Sequence, residues 1–202
     1  MFIIGITGGT GSGKTTVLGV LKEFGARVID CDALYHDMLE TNRAMLGEIE
    51  ARFPGVIQNG VLDRKALGRI VFADEKALAD LNAITHRYVV EEVDRLLAQW
   101  REENVSVAAI DAIALIESGL GERCDVLIGV TAPEEVRVRR IMERDGVSEE
   151  YARMRVAAQK PASFFIENCD CVLESNAPTS DEFRQRCRAF FTEMLSKMNQ
   201  TA

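Results

Sequence analysis

Gly8-Gly9-Thr10-Gly11-Ser12-Gly13-Lys14-Thr15 concentrates more chemistry than any other segment of the chain. It fits the spacing of a glycine, four residues, then glycine, lysine and a hydroxyl residue. Glycines let successive backbone N–H groups turn toward one anion, and a helix beginning at Lys14 adds the positive end of its dipole. The expected ligand is the phosphate tail of ATP. Gly9, Thr10, Gly11, Ser12, Gly13, Lys14, Thr15 and Thr16 form the expected binding set, with Lys14 bridging the β- and γ-phosphates and the Thr15 hydroxyl on Mg2+. The alternative, an ordinary glycine-rich turn, lacks the strand before and helix after that this segment has.

Transfer of a phosphoryl group to a hydroxyl also needs a proton acceptor and positive charge. Asp30-Cys31-Asp32 closes an apolar run, and in extended backbone the two carboxylates share a side. Asp32, furthest past the run, is the candidate base; its other reading is an N-cap ahead of Ala33-Leu34. Asp111 follows Val105 to Ile110 and is either a Mg2+ ligand acting through water or a strand-end carboxylate without one. Glu117 reinforces the metal or acceptor site, or is solvated. Arg137, Arg140 and Arg144 share a face if Glu134 to Arg144 is helical, with Arg139 facing away. Such a face suits a lid that clamps phosphates, the alternative being a solvated face paired with Glu134, Glu135 and Glu143. Arg64 and His86 carry no distinguishing signal by themselves.

These residues need a scaffold. Phe2 to Thr7 reads as a buried strand, Lys14 to Phe24 as a helix ended by Gly25, and Arg27 to Asp30 as a second strand. Ala33 to Arg101 shows helical periodicity, as in Leu78, Leu81 and Ile84. Val105 to Ile110 and Val126 to Val130 are further strands, Val172-Leu173 a weaker one, and Phe183, Cys187, Phe190 and Met194 mark a last helix. No Asn-Gly hairpin is expected between strand-like runs. The pattern predicts an α/β fold of three layers, α/β/α, with a parallel sheet of about five strands whose ligands lie beyond the strands' carboxyl ends.

The chain has 202 residues, 47% hydrophobic and 28% charged, which suffices for one sizeable core. A formal net charge of −8 argues against bulk nucleic-acid binding. With no run long enough to span a bilayer, no membrane partner is expected, and the expected location is cytoplasmic. Cys31, Cys124, Cys169, Cys171 and Cys187 lack metal or redox spacing and read as apolar thiols.

Taken in order, Ile6 to Thr15, Val28 to Asp32, Gly60 to Arg64, Leu81-Asn82 with Ile84 and His86, Leu115 to Leu120, and Arg144-Asp145-Gly146 with Gln159 resemble the dephospho-coenzyme A kinase family. The resemblance covers nearly the whole chain. It implies ATP-dependent phosphorylation of the 3′-hydroxyl of dephospho-coenzyme A, with ATP and Mg2+; the expected state, which the sequence does not fix, is a monomer or weak homo-oligomer. It also implies one P-loop kinase domain: a core of residues 1–32, 105–136 and 168–202, a helical acceptor-binding excursion 33–104, and a lid 137–167. Carried over by position, Asp32, Lys14 and Arg140 are catalytic, Arg140 and Arg144 bind ATP from the lid, and Thr7, Asp32, Arg64, His86 and Glu117 bind the acceptor. Other P-loop nucleoside or small-molecule kinases, and a nucleotide-switch binding protein, are the competing readings.

Overall fold

The structure is a computed structural model that describes residues 1–177 and 179–201. Phe2–Thr7 (β1) is flanked by apolar neighbours on both faces, which is why it carries an unbroken apolar run rather than an alternation. The described residues form a five-stranded parallel sheet in the order β2-β5-β1-β6-β7, where β2 is Arg27–Asp30, β5 Val107–Asp111, β6 Val126–Thr131 and β7 Cys171–Glu174. The strand expected over 105–110 is therefore shifted to include Asp111, which pairs in register with Ile6. Two carboxylates stabilise the sheet where strands begin: Asp125 accepts the Ile3 N–H at 2.7 Å and Asp170 the Leu127 N–H at 2.7 Å.

The chain divides into two compact units, Met1–Val28 with Asn104–Ala202, and Ile29–Glu103. In the first, α1 (Lys14–Glu23) and α9 (Ser180–Thr201) cover one face of the sheet through Val17, Val20, Leu21, Phe183, Cys187 and Phe191. Phe191 is fully buried where the sequence spacing had favoured Phe190, which is only partly covered. α6 (Glu134–Asp145) and α7 (Glu149–Ala157) pack on each other through Val138, Ile141, Ala152 and Val156. α8 (Ala162–Asn168) leads into β7.

In the second unit, α2 (Cys31–Thr41), α3 (Arg43–Arg52) and α4 (Arg64–Val71) pack against α5 (Glu75–Glu102). α5 buries Ala77, Leu81, Thr85, Val89, Val93 and Leu97, a stripe at every fourth residue. The segment is not wholly helical: β3 (Ile57–Gln58) and β4 (Val61–Leu62) form a hairpin around Asn59-Gly60. Positive φ values of 52° and 79° at those two residues mark the turn as one that asparagine and glycine tolerate. The expectation of no Asn-Gly hairpin is corrected, because strands of two residues are too short to show alternation.

A second correction concerns Asp30 and Asp32. Backbone geometry leaves the extended region after Asp30, and α2 begins at Cys31. Asp30 is the N-cap, accepting the Ala33 N–H at 2.9 Å, while Asp32 lies exposed in the helix's first turn. The two carboxylates do not project from one extended strand, and the capping role belongs to Asp30.

Candidate active site

The phosphate loop joins β1 to α1. Gly11 and Gly13 take φ values of 78° and 105°, a region that residues with a Cβ resist. α1 starts on Gly13 with no side-chain cap and no acidic residue in its first turn, so its N–H groups and dipole stay open to an anion. Lys14 Nζ donates to the Gly8 carbonyl at 3.1 Å, which folds its ammonium back along the loop. Thr15 is exposed, and the buried Ser12 hydroxyl has no hydrogen-bond partner among the described residues.

Side chains from elsewhere grip this loop by its backbone. Arg137 Nε donates to the Thr10 carbonyl at 3.0 Å, and Arg140 Nη1 to the Gly11 carbonyl at 3.0 Å. Arg140 Nη2 also donates to Ser175 Oγ at 3.0 Å, a side chain fully buried beside Gly13. Gln159 accepts the Thr10 N–H at 2.8 Å. Burial pulls the guanidinium pKa values of Arg137 and Arg140 down, with Arg139 adding repulsion at Arg140, yet an arginine starting from so high a value keeps its charge.

The helical face expected for the arginines is thus real for Arg137 and Arg140. Arg137 is buried against the loop, its N–H groups taken by the Thr10 carbonyl and Gln159. Arg144 is exposed and paired with Asp145 at 2.7 Å, and Arg155 joins that carboxylate at 2.5 Å. Gln159 and Ser175 were not identified as loop contacts from sequence; they lie 149 and 35 residues from their partners Thr10 and Arg140, beyond any local pattern.

Thr7 is buried, and its hydroxyl donates to the Ile113 carbonyl at 3.1 Å, a contact that fixes the chain just past Asp111. A cavity of about 370 Å³ opens beside the loop, lined by Gly9, Ile113, Glu117, Gln159, Lys160 and Phe165 among others. Glu117 is exposed there with Lys160 Nζ at 4.0 Å.

In the Ile29–Glu103 unit, Arg64 is the first residue of α4, whose N-cap is Asp63. Its guanidinium meets Glu40 at 3.0 Å and His36 Nδ1 at 3.5 Å, with Tyr35 nearby, where burial raises the phenol pKa and the Arg64 charge opposes it. Arg64 and Arg43 line a cavity of about 280 Å³ with Glu40, Gly60 and Leu62. His86 is half-buried on α5, next to Arg87 and Tyr88, which both engage Glu48. His36 and Arg43 carried no sequence signal.

The residues present fit ATP and Mg2+. A Cβ at Gly13 would fall 2.9 Å from Ser175 Oγ, so the loop is shaped around glycine, and the unpartnered Ser12 hydroxyl sits within it. Thr15 and Asp111 offer hard oxygen donors of the kind Mg2+ takes together with substrate phosphates. Among the described residues there is no cluster of three His, Cys, Asp or Glu side chains able to hold a metal. A P-loop metal site does not need one. The thiols offer no competing chemistry: burial pushes Cys124 up to about 12 and Cys169 and Cys187 up to about 11, holding them protonated. No helix among the described residues is long and apolar enough to cross a membrane.

Comparison with known proteins points to one family. The family model described as dephospho-CoA kinase matches residues 2–181. The dephospho-CoA kinase of Geobacter sulfurreducens is 40% identical over 188 residues, covering 92% of this chain and 95% of that protein. That of Corynebacterium glutamicum is 34% identical over 201 residues, covering 98% of this chain and 100% of the relative. The solved dephospho-CoA kinase of Campylobacter jejuni superposes with a TM-score of 0.70 at 27% identity, covering 98% of each chain. With the family match running from the first strand into the last helix, the chain belongs to the dephospho-CoA kinase family.

Proposed function

We propose that Lys14, Asp32 and Arg140 carry the reaction of this family: ATP-dependent phosphorylation of the 3′-hydroxyl of dephospho-coenzyme A, giving coenzyme A and ADP. The observation that bears most weight is the loop itself, with left-handed glycines at 11 and 13, an open α1 N-terminus and Lys14 folded along it. Backbone amides and Lys14 hold the ATP phosphates, and Thr16 sits on the same helix turn. Arg140 places its charge against the loop, where negative charge builds as the phosphoryl group leaves ADP. Thr15 and Asp111 are the residues that would hold Mg2+, which when bound would supply further neutralisation of the phosphates.

Asp32, uncommitted to the helix cap that Asp30 supplies, accepts the proton of the attacking hydroxyl. The Ile29–Glu103 unit binds the acceptor: Arg64 and Arg43 suit its pyrophosphate, and His86 contacts it from α5. Glu117 receives an acceptor hydroxyl in the cavity it shares with Gly9. Residues 137–167 act as the lid, in which Arg144 turns from Asp145 to ATP. The reaction takes place on small molecules in the cytoplasm, without nucleic acid or membrane.

The test is transfer from labelled ATP to dephospho-coenzyme A, with the modified hydroxyl located by mass spectrometry. Coenzyme A with the label in its ribose 3′-phosphate is expected, together with ADP. A labelled nucleoside or sugar, with dephospho-coenzyme A untouched, would overturn the acceptor assignment.

A further inference from the structure

We propose that Gln159 and Arg137 are positioning residues for ATP, which hold the Thr10 peptide from outside and thereby set the conformation in which the loop meets phosphate. The inference rests on the phosphate loop being the ATP site. All three polar groups of Thr10 are taken. Gln159 Oε1 accepts its N–H at 2.8 Å, Gln159 Nε2 donates to its hydroxyl at 2.9 Å, and Arg137 Nε donates to its carbonyl at 3.0 Å. Arg137 Nη2 closes the set by donating to Gln159 Oε1 at 2.5 Å.

The consequence for phosphate follows from peptide geometry. In a trans peptide the carbonyl and the next N–H point to opposite sides, so tying the Thr10 carbonyl to Arg137 turns the Gly11 N–H away from Arg137. The approach is close. A Cβ at Gly9 would fall 2.3 Å from Arg137 Nη2, and one at Gly11 would fall 2.8 Å from the Arg137 carbonyl oxygen. Gly9 and Gly11, at positions the motif leaves open, are thus where this clamp requires glycine.

The clamp is delivered by a packed body. Arg137 lies on α6 and Gln159 just past α7, and beyond their shared apolar contact, Arg153 ties Glu135 at 2.8 Å on α6 to Glu149 at 2.8 Å on α7. Burial of Arg137 to 8% exposure strengthens its hydrogen bonds by excluding water.

The test measures ATP affinity directly by calorimetric titration, so it does not depend on the acceptor. Gln159→Ala and Thr10→Val are each expected to weaken ATP binding by ~10-fold, with the double variant no weaker than about the worse single one, because both remove the same contact. Thr10→Ser, which keeps the hydroxyl, is expected to bind ATP at least about threefold more tightly than Thr10→Val. In transfer assays the loss should fall on the KM for ATP and not on that for dephospho-coenzyme A, with melting temperatures reporting that each variant is folded. Binding within about twofold of the parent for both single variants, or losses that simply add, would overturn the clamp. A parent protein that binds ATP yet leaves dephospho-coenzyme A unmodified would sink the acceptor reading alone.

Discussion

At the phosphate loop, buried Arg137 and half-buried Arg140 direct their N–H groups at backbone carbonyls; in the Ile29–Glu103 unit, Arg52, Arg64 and Arg87 stand in solvent and pair with carboxylates, while Arg43 donates to the Gly60 carbonyl. Arg137 and Arg140 illustrate the first arrangement, and Arg52–Asp80, Arg64–Glu40 and Arg87–Glu48 the second. The physical difference is large. A carbonyl cannot neutralise a guanidinium, so Arg137 and Arg140 keep net positive charge next to the loop. An exposed ion pair cancels its own field and is worth ~0–1 kcal/mol. The helices of the second unit are held instead by the apolar stripe of α5. One region is therefore built to hold a single backbone shape and a standing positive potential. The other presents paired charges that an anionic acceptor can separate at small cost.

The comparison is tested most severely at Lys14. Lys14→Ala removes the loop's own charge, which rests on the Gly8 carbonyl beside those of Arg137 and Arg140, and transfer should fall by at least ~10³-fold. Initial rates with saturating acceptor check this; a loss below tenfold would mean that Arg140 suffices.

The adjacent carboxylates Asp30 and Asp32 separate structure from chemistry within one helix turn. Asp32→Asn should lower kcat by at least ~10²-fold with ATP affinity nearly unchanged. Asp30→Ala should instead cost about 1 kcal/mol of stability through the lost cap, read as a lower melting temperature, with turnover per folded molecule preserved. The reverse pattern would transfer the base to Asp30. A smaller effect belongs to the solvent-facing arginines: Arg64→Ala should raise the KM for dephospho-coenzyme A ~10-fold and leave that for ATP in place. Parallel rises in both would show that the acceptor unit does not act through separable charges.

Legibility in the sequence divided along the same line. The phosphate loop and the strands beside it were readable because glycine spacing and unbroken apolar runs are local signals, and the sheet and family they imply are those observed. Helical spacing brought Arg137 and Arg140 to one face correctly. It could not tell that Arg137 would be buried against the loop, since burial depends on α6 meeting residues some 127 positions away. Gln159 and Ser175 escaped for the same reason. The capping role read for Asp32 falls to Asp30 because α2 starts at Cys31, two residues earlier than a cap at Asp32 implied, and only the backbone torsions at Asp30 reveal that. The Asn59-Gly60 turn was a visible signal discounted for want of strands long enough to alternate.

The smallest effect concerns Asp145 in the α6–α7 region, where Arg144 and Arg155, like Arg153 nearby, pair with carboxylates as arginines do in the acceptor unit. Arg144 and then Arg155 hold its carboxyl well below the usual carboxylate range. Because the folded value is depressed, the pair contributes to stability above the unfolded aspartate value of ~3.9 and loses that contribution as pH falls from there toward the folded value. The site is exposed, so the contribution is screened. Asp145→Asn should lower the melting temperature by under ~2 °C near neutral pH in low salt, with the gap closing below pH ~3.9 and in high salt. Freed from Asp145, Arg144 should also tighten ATP binding slightly if it serves the lid. A gap that persists unchanged in acid would place the contribution of Asp145 in packing, and an ATP affinity that does not rise would leave Arg140 as the lid arginine that matters.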